Sequence, residues 1–168
     1  MPEAIVTGRA GSVKVGWTDR GVCRAVLVSR CGGVAAVECG EARPGRGVQA
    51  VLEGLKDYLC GGRGLWDDAA ARDALPLDFG PASAFRRRVW DTTRAIPYGQ
   101  VRTYGWIARQ LGRPGAGRAV GGAMAANPLP IIIPCHRVVG SSFRLGNFSS
   151  GVEWKAHLHA LEGIRLPR

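Results

Sequence analysis

The stretch LPLDFGPAS, from Leu75 to Ser83, carries Pro76, Gly80 and Pro81, and the periodicity of the chain changes across it. Proline supplies no amide donor and fixes its own φ, so neither a helix nor a central strand runs through such a segment. It reads as a linker that closes with Ser83 as the cap of a following helix. The chain of 168 residues is therefore expected to form two domains, one over residues 1–76 and one over 77–168.

Before the linker, valine-rich runs occupy 12–18 (SVKVGWT), 21–30 (GVCRAVLVSR) and 33–39 (GVAAVEC), broken by Asp19-Arg20-Gly21 and by Gly32-Gly33. This pattern predicts a three-stranded antiparallel meander. From Val48 onward Val51, Leu52, Leu55 and Leu59 follow helical spacing, and Gly61-Gly62 ends the run. Beyond the linker the pattern is helical. Phe85, Val89, Thr93 and Ile96 share one face before Pro97-Tyr98-Gly99. Thr103 then caps a short helix with Tyr104, Ile107, Ala108 and Leu111 on one side, stopped by Gly112. Pro114 opens the next helix, which runs to Asn127-Pro128. The fold class is α+β: a small N-terminal domain with an antiparallel sheet and a helix, then a mostly helical C-terminal domain containing a helix-turn-helix.

A formal charge of +10, supplied by arginine with only Lys14, Lys56 and Lys155 as lysines, points either to a polyanionic partner or to a compositional bias. Cys23, Cys31, Cys39 and Cys60 lack paired metal-ligand spacing, and the histidines are His136, His157 and His159. No metal site is expected, and these four thiols are read as packing residues, with one disulfide among them as the alternative. Met1 to Gly11 contain Glu3 and Arg9 and no signal-like apolar stretch, and no segment approaches a membrane span. The expectation is a cytoplasmic protein, nuclear if the cell is eukaryotic.

Two segments resist a purely structural reading. GAGRAVGGAMAANP is almost bare of side chains apart from Arg118, Val120 and Met124, although each interior glycine costs a helix about 1 kcal/mol relative to alanine. Either this helix packs closely against another, or it approaches a narrow surface with Arg118 projecting. In IIIPCHRVVG, three isoleucines suggest a buried strand ended by Pro134, which leaves Cys135 at the edge of the core. A thiol of pKa about 8.5 becomes a useful nucleophile only with a base or a positive field nearby. His136 reaches it only through a turn or a bridging water, and needs a carboxylate to fix its tautomer.

PCHRVV, with RAVGGAMAANP upstream and LGNFSSG and ALEG downstream, resembles the O6-alkylguanine-DNA alkyltransferase family over residues 83–163. The resemblance implies direct repair of double-stranded DNA containing O6-alkylguanine, with no cofactor, by a monomer; cooperation between copies on DNA stays open. It implies Cys135 as nucleophile and permanent acceptor, His136 as base through a water, and Glu162 as the carboxylate behind it. Tyr104 would donate to guanine N3. Arg118 would fill the gap left by a flipped base, with Ala119, Gly122 and Ala123 against the minor groove. Asn127 would hinge the recognition helix to the active-site segment. The pocket would comprise Pro130 and Phe148 around the alkyl group, the Ser149 amide on O6, and the Cys135 and Val138 carbonyls on the exocyclic amine.

The chain departs from the family pattern at Phe143, Arg144, Phe148, Ser150 and Trp154, which bears on large alkyl groups such as benzyl; methyl transfer is expected to survive. The run Arg86-Arg87-Arg88 reads as a solvated face, and His157 and His159 as surface residues. Two other functions compete. A non-catalytic lesion-binding protein would need no acceptor thiol, and an alkylation-sensing regulator would need a further effector domain.

Overall fold

Apolar residues at every second position in the first half produce a sheet with one buried face. In the computed structural model, which describes residues 1–30, 36–40, 43–63, 68–146 and 148–167, four antiparallel strands run in the order β3-β2-β1-β4. They are β1 (Glu3–Gly8), β2 (Gly11–Thr18), β3 (Gly21–Ser29) and β4 (Ala36–Cys39). Val6 sits between Val13 of β2 and Val37 of β4. Helix α1 (Arg46–Leu59) lays Val48, Val51, Leu52, Leu55, Tyr58 and Leu59 into the core. Its last turn meets β1 so closely that a side chain at Gly8 would lie 2.5 Å from Leu59 Cβ.

This sheet corrects the expected three-stranded meander. The additional strand, β1, has only Ala4 and Val6 as buried apolar side chains, too short an alternation to stand out. The third valine run therefore crosses to the far side of β1 instead of following β3; its residues 33–35, and Cys31, lie outside the described residues. The linker is also more structured than its prolines suggest. Val22 N donates to Pro76 O and Asp78 N to Val22 O, both at 2.8 Å, so Leu77 lies along the start of β3. The Asp78 carboxylate accepts from Thr18 Oγ1 at 3.0 Å and pairs with Arg20. These bonds draw residues 77–80 into the first compact unit, Met1–Gly80, and the second is Pro81–Arg168. A short helix, α2 (Ala69–Asp73), precedes the strap, capped by Asp68.

In the second unit the expected caps form: Ser83 accepts from Arg86 N at the start of α3 (Ala84–Arg94), and Thr103 accepts from Trp106 N at the start of α4 (Tyr104–Gln110). Gly112 ends α4 with φ 70°, a backbone that favours glycine. Helix α5 (Gly117–Ala125) begins three residues after Pro114, which lies in the preceding turn and not in the helix. Trp90 Nε1 donates to Ala123 O at 2.9 Å, tying α3 to α5. A two-stranded parallel pair, β5 (Arg102–Thr103) with β6 (Val138–Val139), and helix α6 (Val152–Leu161) complete the unit. The architecture is α+β. Among the described residues no helix is long and apolar enough to cross a membrane.

Candidate active site

The segment from α5 to β6 is a sequence of turns, not the expected isoleucine strand. Ile131, Ile132 and Ile133 are all fully buried, but Ile131 has φ 74°, a conformation that β-branched residues rarely adopt and that costs about 1–3 kcal/mol. Ile133 N donates back to Leu129 O at 2.8 Å. Pro134 (φ −78°, ψ 63°) then centres an inverse γ-turn, closed by Cys135 N donating to Ile133 O at 2.7 Å. Proline holds that φ without assistance, so its role is to aim the next residue. Cys135–Arg137 follow as a single 3-10 turn that runs into β6.

Asn127 binds this loop to the end of α5. Its Oδ1 accepts from Leu129 N at 2.9 Å, and its Nδ2 donates to Ile133 O at 3.0 Å and to Cys135 Sγ at 3.1 Å. Cys135 is 6% exposed and forms part of the wall of a cavity of about 470 Å³ lined by Tyr104, Gly121, Gly122, Met124, Ala125, Phe148 and Ser149. Burial pushes its thiol pKa up, against the opposing pull of the Asn127 bond and the charge of Lys155. The resting group is a thiol held dry beside an open pocket.

Behind it lies a buried polar cluster. His136 is fully buried, with Nε2 2.7 Å from Glu162 Oε1. Burial lowers the imidazole pKa despite the carboxylate, so the ring is neutral near pH 7. A neutral ring facing a carboxylate carries its proton on Nε2, which leaves Nδ1 as the basic nitrogen. Arg137, 1% exposed, donates Nε to Glu162 Oε2 at 2.9 Å and Nη1 to Ile96 O at 2.6 Å. Gly99 N adds a further donor to Glu162 at 3.0 Å. Burial alone would raise the Glu162 carboxyl, but the His136 bond and the bonds and charge of Arg137 outweigh it and hold the group well below the usual range. A buried arginine and a buried glutamate thus neutralise each other while the histidine stays uncharged.

The second unit matches the family model described as the 6-O-methylguanine DNA methyltransferase DNA-binding domain over residues 84–164. The methylated-DNA--protein-cysteine methyltransferase of Salmonella typhimurium is 46% identical over 112 residues, 67% of this chain and 61% of that protein. Its namesake in Mycolicibacterium paratuberculosis is 52% identical over 85 residues, 51% of this chain and 52% of that protein. The crystal structure of Mycobacterium tuberculosis O6-methylguanine methyltransferase superimposes with a TM-score of 0.72 at 30% identity, covering 96% of this chain and 93% of that one. The chain belongs to the O6-methylguanine-DNA methyltransferase family. The matched segment spans between half and two thirds of the curated relatives named here. The M. tuberculosis OGT solved in complex with DNA superimposes with a TM-score of 0.71 at 29% identity, covering 95% of this chain and 91% of that chain.

The residues expected from the family motif fall into four groups. Cys135, Tyr104, Gly122, Phe148 and Ser149 meet at the cavity, and Asn127, His136 and Glu162 bond to the thiol turn or within it. Tyr104 is half-buried at the start of α4, and burial followed by the nearby Cys135 thiol raises its pKa, so its hydroxyl keeps its proton. Arg118 and Ala119 are exposed on α5. Ala123 is not: it faces the core, 2% exposed, with its carbonyl taken by Trp90, and is withdrawn from the exposed face. Pro130 and Val138 are buried and do not line the cavity, and Val138 O accepts from Lys155 Nζ at 2.6 Å. Phe143 holds φ 55°, so the loop keeps a left-handed backbone there without glycine. Asn147 of the LGNFSSG motif lies outside the described residues.

Three further residues join this buried cluster. Lys155 is fully buried and also donates to Leu145 O at 2.5 Å; burial lowers its pKa to about 8. The signal for it was a lysine kept in a chain that otherwise uses arginine, since Lys14 and Lys56 form exposed or half-exposed ion pairs with Glu3 and Glu53. Arg137, a candidate for the positive field beside the thiol, pairs instead with Glu162. His159, expected at the surface, is 4% exposed, with Nε2 donating to His136 O at 2.6 Å; its period on α6 places it on the inner face.

Proposed function

We propose that this protein repairs DNA directly, moving the alkyl group of an O6-alkylguanine onto Cys135 in a single turnover. The observation that carries the proposal is a buried thiol, bonded by Asn127 and backed by His136 and Glu162, at the wall of an open cavity beside α5. The exposed side of α5 offers Arg118, Ala119 and Gly122, little more than backbone and one cation. A helix this smooth suits the minor groove of a duplex, which admits backbone-close contacts with little sequence preference. The target guanine leaves the stack for the cavity, and Arg118 occupies the vacated space; extrusion costs a few kcal/mol, least for a weakened pair.

The chemistry is redox-neutral. Cys135 Sγ attacks the alkyl carbon in line with the C–O6 bond, a C–S bond forms, and the C–O6 electron pair stays with the guanine. The thiol proton passes through a water to His136 Nδ1, and Glu162 stabilises the imidazolium that results. The Tyr104 hydroxyl donates to guanine N3 as that base gains electron density. A raised thiol pKa suits this order, because the group is deprotonated at the moment of attack and does not react with stray electrophiles beforehand. The thioether product does not hydrolyse, so each molecule acts once.

The test is intact-protein mass after incubation with a duplex containing one O6-methylguanine, followed by peptide mapping. One methyl group gained on Cys135, and none in Cys135→Ser, is the expected result. Tight binding to that duplex with no mass change would replace the proposal with a non-catalytic lesion-binding function.

A further inference from the structure

Helix α6 and its C-cap residue Glu162 present three polar side chains at i, i+4 and i+7, the spacing that keeps residues on one helical face. All three are buried, and each grips the segment that carries the thiol. Lys155 Nζ donates to Val138 O, His159 Nε2 donates to His136 O, and Glu162 accepts from the His136 ring and from Arg137. Lys155 holds the main chain just after the turn, and Glu162 holds the turn through the side chains of His136 and Arg137. His159 holds its middle, at the main chain of the residue whose ring removes the proton. Its ring also stands edge-on to that of His136, with centroids 6.4 Å apart.

We propose that His159 is a positioning residue for alkyl transfer: by fixing the His136 carbonyl to α6, it sets where the imidazole and the adjoining thiol stand relative to the cavity. This rests on the function proposed above. A buried histidine is not needed there for packing, because an aliphatic side chain of similar size would fill the space without a polar group to satisfy. What the histidine adds is a short donor bond to one carbonyl. Without it, that carbonyl loses a donor in a dry site, and this side of the segment is held only through the side chains of His136 and Arg137 and the Val138 carbonyl. Misplacement of a reacting pair by an ångström or so slows a reaction by up to about a hundredfold.

The comparison is between His159→Leu, which keeps volume and loses the donor, and His159→Gln, which keeps a donor. The expected result is a single-turnover transfer rate about tenfold lower for the leucine variant, with affinity for the lesion duplex within about twofold of the parent. Glutamine recovers most of the rate. If the leucine variant does not fold, His159→Met, whose side chain adapts to irregular gaps, takes its place. A second readout needs no nucleic acid: the rate at which iodoacetamide alkylates Cys135, as a function of pH. There the apolar variants should be slowed, and their acid limb should move to higher pH. Burial lowers the pKa of both rings, and charge taken up by His159 at the acid end opposes protonation of His136, alongside Arg137 and against Glu162, while Lys155 supplies the other nearby charge.

An apolar variant as fast as the parent in both assays would overturn the proposal, as would a glutamine variant as slow as leucine. If the parent takes no alkyl group from DNA but iodoacetamide still separates the variants, the repair function fails and the positioning role stands.

Discussion

Helices α5 and α6 border the same thiol and are built on opposite terms. Helix α5 turns a nearly bare surface outward, with Ala119, Gly122 and Ala125 exposed and Arg118 as its one long exposed side chain. Helix α6 turns a polar stripe inward, burying Lys155, His159 and Glu162. Glycine in a helix and charge in a core each cost stability, and each cost falls where geometry is needed most. The difference separates two tasks. A surface that must approach a partner sheds side chains, and a scaffold that must hold reacting groups still buries polar atoms and satisfies every one it can.

The strongest way to break this contrast is at Glu162. Glu162→Gln leaves the Arg137 charge buried without its partner and should cost about 3–5 kcal/mol in urea unfolding. The parent should show the matching pH dependence. Its depressed carboxyl contributes stability above the ordinary carboxyl value of 4.5, and that contribution is lost as pH falls below it toward the folded value. A glutamine variant with parental stability would mean that the buried stripe is not what holds α6 to the turn.

Lys155 gives a smaller effect, and its charge opposes the fold where that of Glu162 supports it. Its pKa falls from 10.5 to about 8 on folding, so the unfolded chain binds the proton more tightly and the cost of burying the charge is relieved between those values. The stability of the parent relative to Lys155→Met should therefore rise from pH 8 to 10.5, by at most about 1.4 kcal/mol per pH unit. Equal pH profiles for the two proteins would remove the charge from the account.

The smallest effect sharpens the other side of the comparison. Gly122 has open space where a Cβ would stand, so Gly122→Ala should stabilise the protein by about 0.5–1 kcal/mol. The same methyl group occupies the surface proposed to meet DNA, and duplex affinity should fall while reaction with a free O6-alkylguanine base changes less. A variant that gains stability without losing affinity would show that glycine there serves no approach.

The legibility of the chain follows the same division. Caps were readable because Ser83 and Thr103 act on amides three residues ahead, and α1 was readable because apolar spacing dictates its buried face. Cys135 stood out through its motif. The isoleucine run was misread because periodicity assigns a buried apolar triplet to a strand, whereas Asn127, Pro134 and the Leu129–Ile133 bond impose turns on it. His159 and Lys155 were missed for a different reason. A polar residue on an inner face looks solvated until its partner is known, and the carbonyls that satisfy them belong to His136 and Val138, 23 and 17 residues away. The short β1 and the Pro76–Asp78 strap were likewise decided by pairing with segments remote in sequence.

The bonds joining His136, Glu162 and Arg137 respond to heat differently from the aliphatic core around them. Water's hold on an ionised group weakens as temperature rises, so the desolvation penalty that opposes a buried ion pair shrinks, while the gain from burying a methyl group levels off. On warming, the turn that carries Cys135 should therefore be among the last parts of its unit to loosen.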